Sequence, residues 1–217
     1  MEKGKFVMDQ QKSVSKAVVA RLPRYYRYLR RLASEDVTRI SSKDLAARMG
    51  LTASQIRQDL SCFGGFGQQG YGYSVETLMF ELERILGIAS SRRAILLGAG
   101  NLGRALLRNF NFSYCGVRPI GAFDVAPDIV GNAYRGIPVH AMEDLETFMS
   151  REIPDIAVLC IPGSHAAEMA ERLVKAGIKG IWNFTNAELR EDEIGVPVEN
   201  VHFSDSLMAL CYKIQDE

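Results

Sequence analysis

Residues 94–107 read AILLGAGNLGRALL: four apolar residues, then Gly-Ala-Gly-Asn-Leu-Gly from Gly98 to Gly103, then a segment with helical spacing. A strand that runs into Gly-x-Gly-x-x-Gly and out into a helix has the backbone required to hold a dinucleotide pyrophosphate. Gly98 makes the tight turn, Gly100 lets the backbone approach the phosphates, and Gly103 lets the helix lie close on the sheet. The whole loop, with Ala99, Asn101 and Leu102, is assigned to the cofactor, whose anionic centre faces the helix N-terminus. Asp124 follows 21 residues after Gly103, at the end of the next apolar run, where the fingerprint places a carboxylate for the adenosine ribose. Its charge repels a 2′-phosphate, so the expectation is NAD(H) rather than NADP(H). Leu102 stands where a Gly-x-Gly-x-Gly loop for S-adenosylmethionine has its third glycine.

Around this loop the chain alternates between strand-like and helix-like segments. Strands are expected at 93–97, 119–124, 156–161, 180–184 and 198–201, and helices at 102–110, 142–151, 165–176 and 203–214. The alternation predicts an α/β, Rossmann-type doubly wound parallel sheet.

The preceding segment has a different character. The 217 residues carry no formal net charge, yet residues 1–73 hold 13 Lys and Arg against 6 Asp and Glu, and the rest hold 13 against 20. A basic segment joined to an acidic one suggests that the first meets a polyanion. Residues 13–33, SVSKAVVARLPRYYRYLRRLA, carry apolar residues at helical spacing, with a new helix expected at Pro23. Ser41 or Ser42 opens a second helix that Gly50 ends, and Thr52 with Gln55 has capping-box spacing for a third from Ala53.

On that third helix Ala53, Ile56, Leu60 and Phe63 share one face, and Ser54, Arg57, Gln58 and Ser61 the other. This is the pattern of a helix-turn-helix, and equally of a plain helical hairpin with a solvated outer face. The next stretch, FGGFGQQGYGYS at 63–74, places five glycines within nine positions among aromatic residues. It suits a short hairpin better than a linker, and a hairpin directly after a recognition helix is a wing. The expected DNA contacts are Lys43, Ser54, Gln55, Arg57, Gln58 and Ser61 on the helices, and Gln68, Gln69 and Tyr71 on the wing. Arg57 matches guanine edges, and Gln55 or Gln58 matches adenine.

No run of apolar residues marks a membrane span or a signal peptide, so a cytoplasmic protein is expected. The four cysteines, Cys62, Cys115, Cys160 and Cys211, form no Cys-x-x-Cys pair, and no metal site is expected. Of the three histidines only His165 is placed to act as a general base beside a nicotinamide, and with Ser164 capping the next helix it reads rather as an exposed first-turn residue. A dinucleotide site without evident catalytic equipment, joined to a DNA reader, predicts a sensor and not an enzyme.

Six segments, RLPRYYRYLRRL (21–32), QIRQDLSCFGGFGQQGYGYSV (55–75), LLGAGNLGRALL (96–107), AFDVAP (122–127), GIPV (136–139) and VPVENV (196–201), resemble the Rex family of redox-sensing transcriptional repressors. The resemblance implies a winged helix at 1–78, a Rossmann domain at 79–201 and a C-terminal helix at 202–217 swapped between the subunits of a homodimer, with Ala209 and Leu210 packed on the partner. It also implies repression of fermentative and respiratory genes at palindromic operators, released when NADH outcompetes NAD+. The nicotinamide wall is expected from Ile161, Pro162 and Phe203. A ligand of this kind acts by binding one arrangement of the dimer better than the other. The chain departs from the family pattern at Gln58, Gln68 and Gln69, where basic residues are common. It departs also at His202, where an acid is usual, and at Asn109, near the place of a tyrosine.

Overall fold

The computed structural model describes residues 14–68 and 71–215, which divide into two compact units at Ala89/Ser90. The first unit opens with α1 (Lys16–Ser34), capped by Ser15. Pro23 lies inside this helix and does not begin a new one, contrary to the expectation from its position. The buried residues Val18, Leu22, Tyr25, Tyr26, Leu29 and Leu32 run along one face on both sides of Pro23, and that continuous stripe holds the helix together through the missing N–H.

Strand β1 (Arg39–Ile40) leads to α2 (Ser42–Met49), which Ser41 caps and Gly50 ends at φ +66°. Helix α3 (Ala53–Ser61) begins where Thr52 Oγ1 accepts the Gln55 N–H at 3.1 Å. The wing strands are β2 (Gly67–Gln68) and β3 (Gly72–Ser74), and β3 is the central strand of a small antiparallel sheet ordered β1-β3-β2. Gly72, at φ +71°, accommodates the carbonyl of Ile40, which a Cβ there would meet at 2.6 Å.

Helix α4 (Val75–Leu86) is capped by Ser74 and Gly87. It packs on α1 and belongs to the first unit, so the division falls after it and not at 78/79. The physical reason is its buried face of Val75, Leu78 and Leu82.

The second unit is a seven-stranded sheet: β4 (Arg92–Leu97), β5 (Val117–Asp124), β6 (Ala133–Tyr134), β7 (Ile137–Ala141), β8 (Ile156–Leu159), β9 (Gly180–Asn183) and β10 (Val198–Asn200). The order β10-β9-β8-β4-β5-β7-β6 is the dinucleotide-fold order with one strand added. All pairs are parallel except β6 with β7, so the sheet is not wholly parallel. The short β6–β7 hairpin carried no periodicity long enough to announce itself.

Helices α5 (Asn101–Asn109), α6 (Leu145–Glu152) and α7 (Ala166–Lys175) cover the sheet, with a single turn α8 (Glu191–Ile194) near its edge. Alternate β4 residues feed two cores: Ile95 and Leu97 pack with Phe123, Leu159 and Leu173, whereas Leu96 packs with Leu107, Phe112 and Val158. Both faces are thereby buried, as parallel pairing requires.

The chain ends in α9 (Phe203–Lys213), along which every described residue is exposed. Among the described residues no helix is long and apolar enough to cross a membrane.

Candidate nucleic-acid interface and dinucleotide site

In the first unit α3 divides into a buried and an exposed face, as its spacing requires. Ile56 and Leu60 are buried, while Ser54, Arg57, Gln58 and Ser61 are exposed and Gln55 is half-buried. Lys43 is exposed in the first turn of α2. Arg57 is already positioned, its Nη1 donating to Ser42 Oγ at 3.0 Å, so the two helices share a basic corner. Tyr71 stands out from the wing, with the Arg39 guanidinium 5.9 Å from its ring centroid and donating to its backbone carbonyl at 3.4 Å. The pairing of Arg39 with the wing emerges only when β1 joins β3. Gln68 lies on β2, and Gln69 falls outside the described residues.

Asp59 sits on the same helix but is buried, and the facing pattern did not single it out. Arg21 donates to it from Nε and Nη2 at 2.7 and 2.8 Å, and Tyr25 donates its hydroxyl at 2.6 Å. The Arg21 hydrogen bonds hold the Asp59 carboxyl below its ordinary range, against the opposing effect of burial. Burial and Asp59 in turn push the Tyr25 phenol up.

In the second unit the three fingerprint glycines carry three different constraints. Gly98 adopts φ +90°, and a Cβ there would meet the Cys160 carbonyl oxygen at 2.5 Å. A Cβ on Gly103 would lie 2.0 Å from the Gly98 oxygen, whereas one on Gly100 would meet nothing within 4 Å. Gly100 is the open side, and it caps α5 without a side-chain hydrogen bond, leaving first-turn N–H groups for a ligand.

Asp124, buried at the end of β5, accepts the Ala99 N–H at 2.6 Å and the Ala126 N–H at 2.9 Å. Ala99 is itself fully buried, so its N–H serves to fix Asp124. Asn101 is exposed and accepts from Arg104 at 2.8 Å, and Leu102 is half-buried.

A cavity of about 470 Å³ opens at these strand ends, lined by Gly98, Gly100, Asp124, Ile161 and Pro162 among the expected residues. Val125, Met142, Cys160, His165, Glu168, Met169 and Arg172 complete it. The α7 contributors recur at helical spacing and share one face, a signal present in the sequence once the helix is placed after β8. Burial pushes the Cys160 thiol up to about 12.

Phe203 is not among the lining residues. It is exposed, its ring 6.0 Å from that of Phe184. Asn109 is exposed at the end of α5. His202, at the N-cap of α9, stands between two carboxylates, with Nε2 3.7 Å from Glu188 and Nδ1 3.9 Å from Asp205. The open Gly100, the uncapped α5 and the fixed Asp124 fit a dinucleotide. Among the described residues no group of three His, Cys, Asp or Glu side chains gathers to hold a metal.

Residues 13–61 match the family described as putative DNA-binding protein N-terminus, and residues 89–187 that described as CoA binding domain. The redox-sensing transcriptional repressor Rex of Caldicellulosiruptor saccharolyticus is 50% identical over 210 residues, 97% of this chain and 95% of the relative. The Rex of Clostridium botulinum strain Alaska E43 is 44% identical over 97% of this chain and 100% of its own. Among solved structures, RSP in complex with β-NAD+ and operator DNA superposes with a TM-score of 0.86 at 48% identity, over 95% of this chain and 94% of that one. RSP in complex with β-NADH gives 0.84 at 46%, over 94% and 95%. With half of its residues shared over almost its whole length, a buried fingerprint carboxylate and a winged recognition helix in one polypeptide, the chain belongs to the Rex family of redox-sensing transcriptional repressors.

Proposed function

We propose that this protein is a transcriptional repressor that reads the NADH to NAD+ balance and releases double-stranded operator DNA when NADH replaces NAD+. The observation that carries the reading is the Gly98–Gly103 loop with Asp124 fixed beneath it, in the same chain as an exposed recognition face on α3. Gly100 and the first turn of α5 would hold the pyrophosphate, and Asp124 would hold the adenosine ribose. The bound dinucleotide supplies two redox forms that differ by a hydride and one positive charge at the nicotinamide. Ile161 and Pro162 exclude water from the neighbouring wall, which favours the uncharged form.

The cofactor is sensed and not consumed, and His165 acts as a wall residue and not as a base. The protein works as a homodimer in the cytoplasm. Phe203, Leu207, Leu210 and Ile214 form an exposed apolar stripe along α9, which a swapped partner helix would cover. Paired winged helices then read two halves of a palindrome.

A second reading keeps DNA binding and uncouples it from the cofactor. It is favoured by His202, a residue without constant negative charge that stands where the family usually has an acid. Fluorescence anisotropy of a labelled palindromic operator, titrated separately with NADH, NAD+ and coenzyme A at fixed salt, tests both. Release by NADH alone supports the sensor. Binding that ignores all three supports the uncoupled reading.

A further inference from the structure

We propose that Glu168 selects adenine at the outer end of the dinucleotide cavity, an inference that rests on the cofactor reading above. Asp124 marks the place of the adenosine ribose in this fold, so the base lies beyond it, on the side of the sheet toward β5 and β7. Val125 and Met142, just past the ends of β5 and β7, line the cavity, as do the α7 residues Glu168, Met169 and Arg172, the last of these tied to α6 through Glu146. Met142 and Met169 provide soft, polarizable walls suited to a flat heteroaromatic ring.

The polar groups at this end are divided in an unexpected way. Arg172 follows Glu168 by four residues, the spacing of an ordinary helical ion pair. Its guanidinium turns instead to Glu146 on α6, with Nε and Nη2 donating to Oε1 at 2.8 and 2.5 Å. Glu168 lines the cavity, is exposed, and makes no hydrogen bond or ion pair among the described residues. The Glu146–Arg172 pair therefore leaves the Glu168 carboxylate with its acceptors available.

An ionised carboxylate accepts hydrogen bonds and donates none. Adenine offers an exocyclic amine, whereas hypoxanthine and guanine place a carbonyl oxygen at the same position, which faces the carboxylate as a second acceptor. A site that pairs with an amine discriminates strongly against an analogue lacking it. Glu168 is thus a specificity residue for the base, independent of the redox state of the far ring.

The test titrates full-length protein with NADH and with the reduced dinucleotide in which hypoxanthine replaces adenine, following cofactor fluorescence. Wild type is expected to bind NADH roughly tenfold more tightly than the analogue, in line with a charge-assisted hydrogen bond at a partly solvated site. Glu168→Ala narrows that ratio to within about twofold, and so does Glu168→Gln, whose amide can accept from the adenine amine or donate to the hypoxanthine carbonyl. Equal affinity of wild type for the two dinucleotides, or an unchanged ratio in Glu168→Ala, overturns the inference. Should Glu168→Ala bind neither dinucleotide, the ratio in Glu168→Gln decides. Failure of wild type to bind either one overturns the cofactor reading instead.

Discussion

Arg21 grips Asp59 with two parallel hydrogen bonds of 2.7 and 2.8 Å, tying α1 to α3. Asp59 is buried and also accepts from Tyr25, so removing Arg21 leaves a carboxylate without its counter-ion. Arg21→Ala is expected to destabilise the first unit by about 3 kcal/mol, in the range for breaking a buried pair. Thermal denaturation of the variant beside wild type measures it.

The same pair gives the first unit an acid limit. Arg21 holds the folded-state pKa of Asp59 below its ordinary value of 3.8, so folding favours the ionised form. The stabilisation is fully present above the unfolded-state pKa and is lost as pH falls through the folded one. Wild type should therefore lose stability below about pH 4, and Asp59→Asn should show lower stability at neutral pH with a shallower acid slope. Urea midpoints at pH 7 and pH 3.5 distinguish the two slopes.

Gly100 and Gly103 should separate binding from folding. A methyl on Gly100 enters open space, so Gly100→Ala keeps the wild-type melting temperature while blocking close approach of the pyrophosphate. A methyl on Gly103 collides with the Gly98 carbonyl and forces α5 off the sheet, so Gly103→Ala loses both stability and cofactor. Trp182 is the single tryptophan of the sequence and lies on β9, so quenching of its emission by NADH reports binding in either variant.

On the DNA side, Arg57→Ala should cost about 1–3 kcal/mol of operator affinity and relax preference at one base position. Lys43→Ala should weaken binding to all sequences and reduce the salt dependence by about 0.9 in log–log slope. Anisotropy titrations at several salt concentrations, on operator and scrambled duplex, separate the two effects.

Leu207 and Leu210 test the dimer. Charge at both positions, as in Leu207→Glu with Leu210→Glu, is expected to leave the Rossmann core folded, because these residues contribute nothing to it. The mass by light scattering should fall from two chains to one, and operator affinity should fall with it.

The parts of the molecule that were legible in the sequence share one property: a local rule fixes them. Thr52 caps α3, Gly50 ends α2 in left-handed geometry, and Gly98 with Asp124 frames the loop, each within a few residues or at a fixed spacing. What escaped depends on distant partners. Pro23 looked like a helix start because its neighbours were unseen, while the packing of α1 against α4 keeps the helix whole. Asp59 read as one more polar residue until Arg21, 38 positions earlier, came to meet it. Arg39 meets Tyr71 of the wing only through pairing of β1 with β3. The pairing of Arg172 with Glu146 was hidden for the same reason, since the two stand 26 residues apart.

Cys160 lines the cavity next to the glycine loop, yet its thiol, raised to about 12, stays protonated at any physiological pH. Peroxides and disulfides react with the thiolate and scarcely with the thiol. Direct oxidation of this wall through Cys160 is therefore disfavoured. Beside the glycine loop, this cysteine does not compete with the pyridine nucleotide as a reporter of redox state.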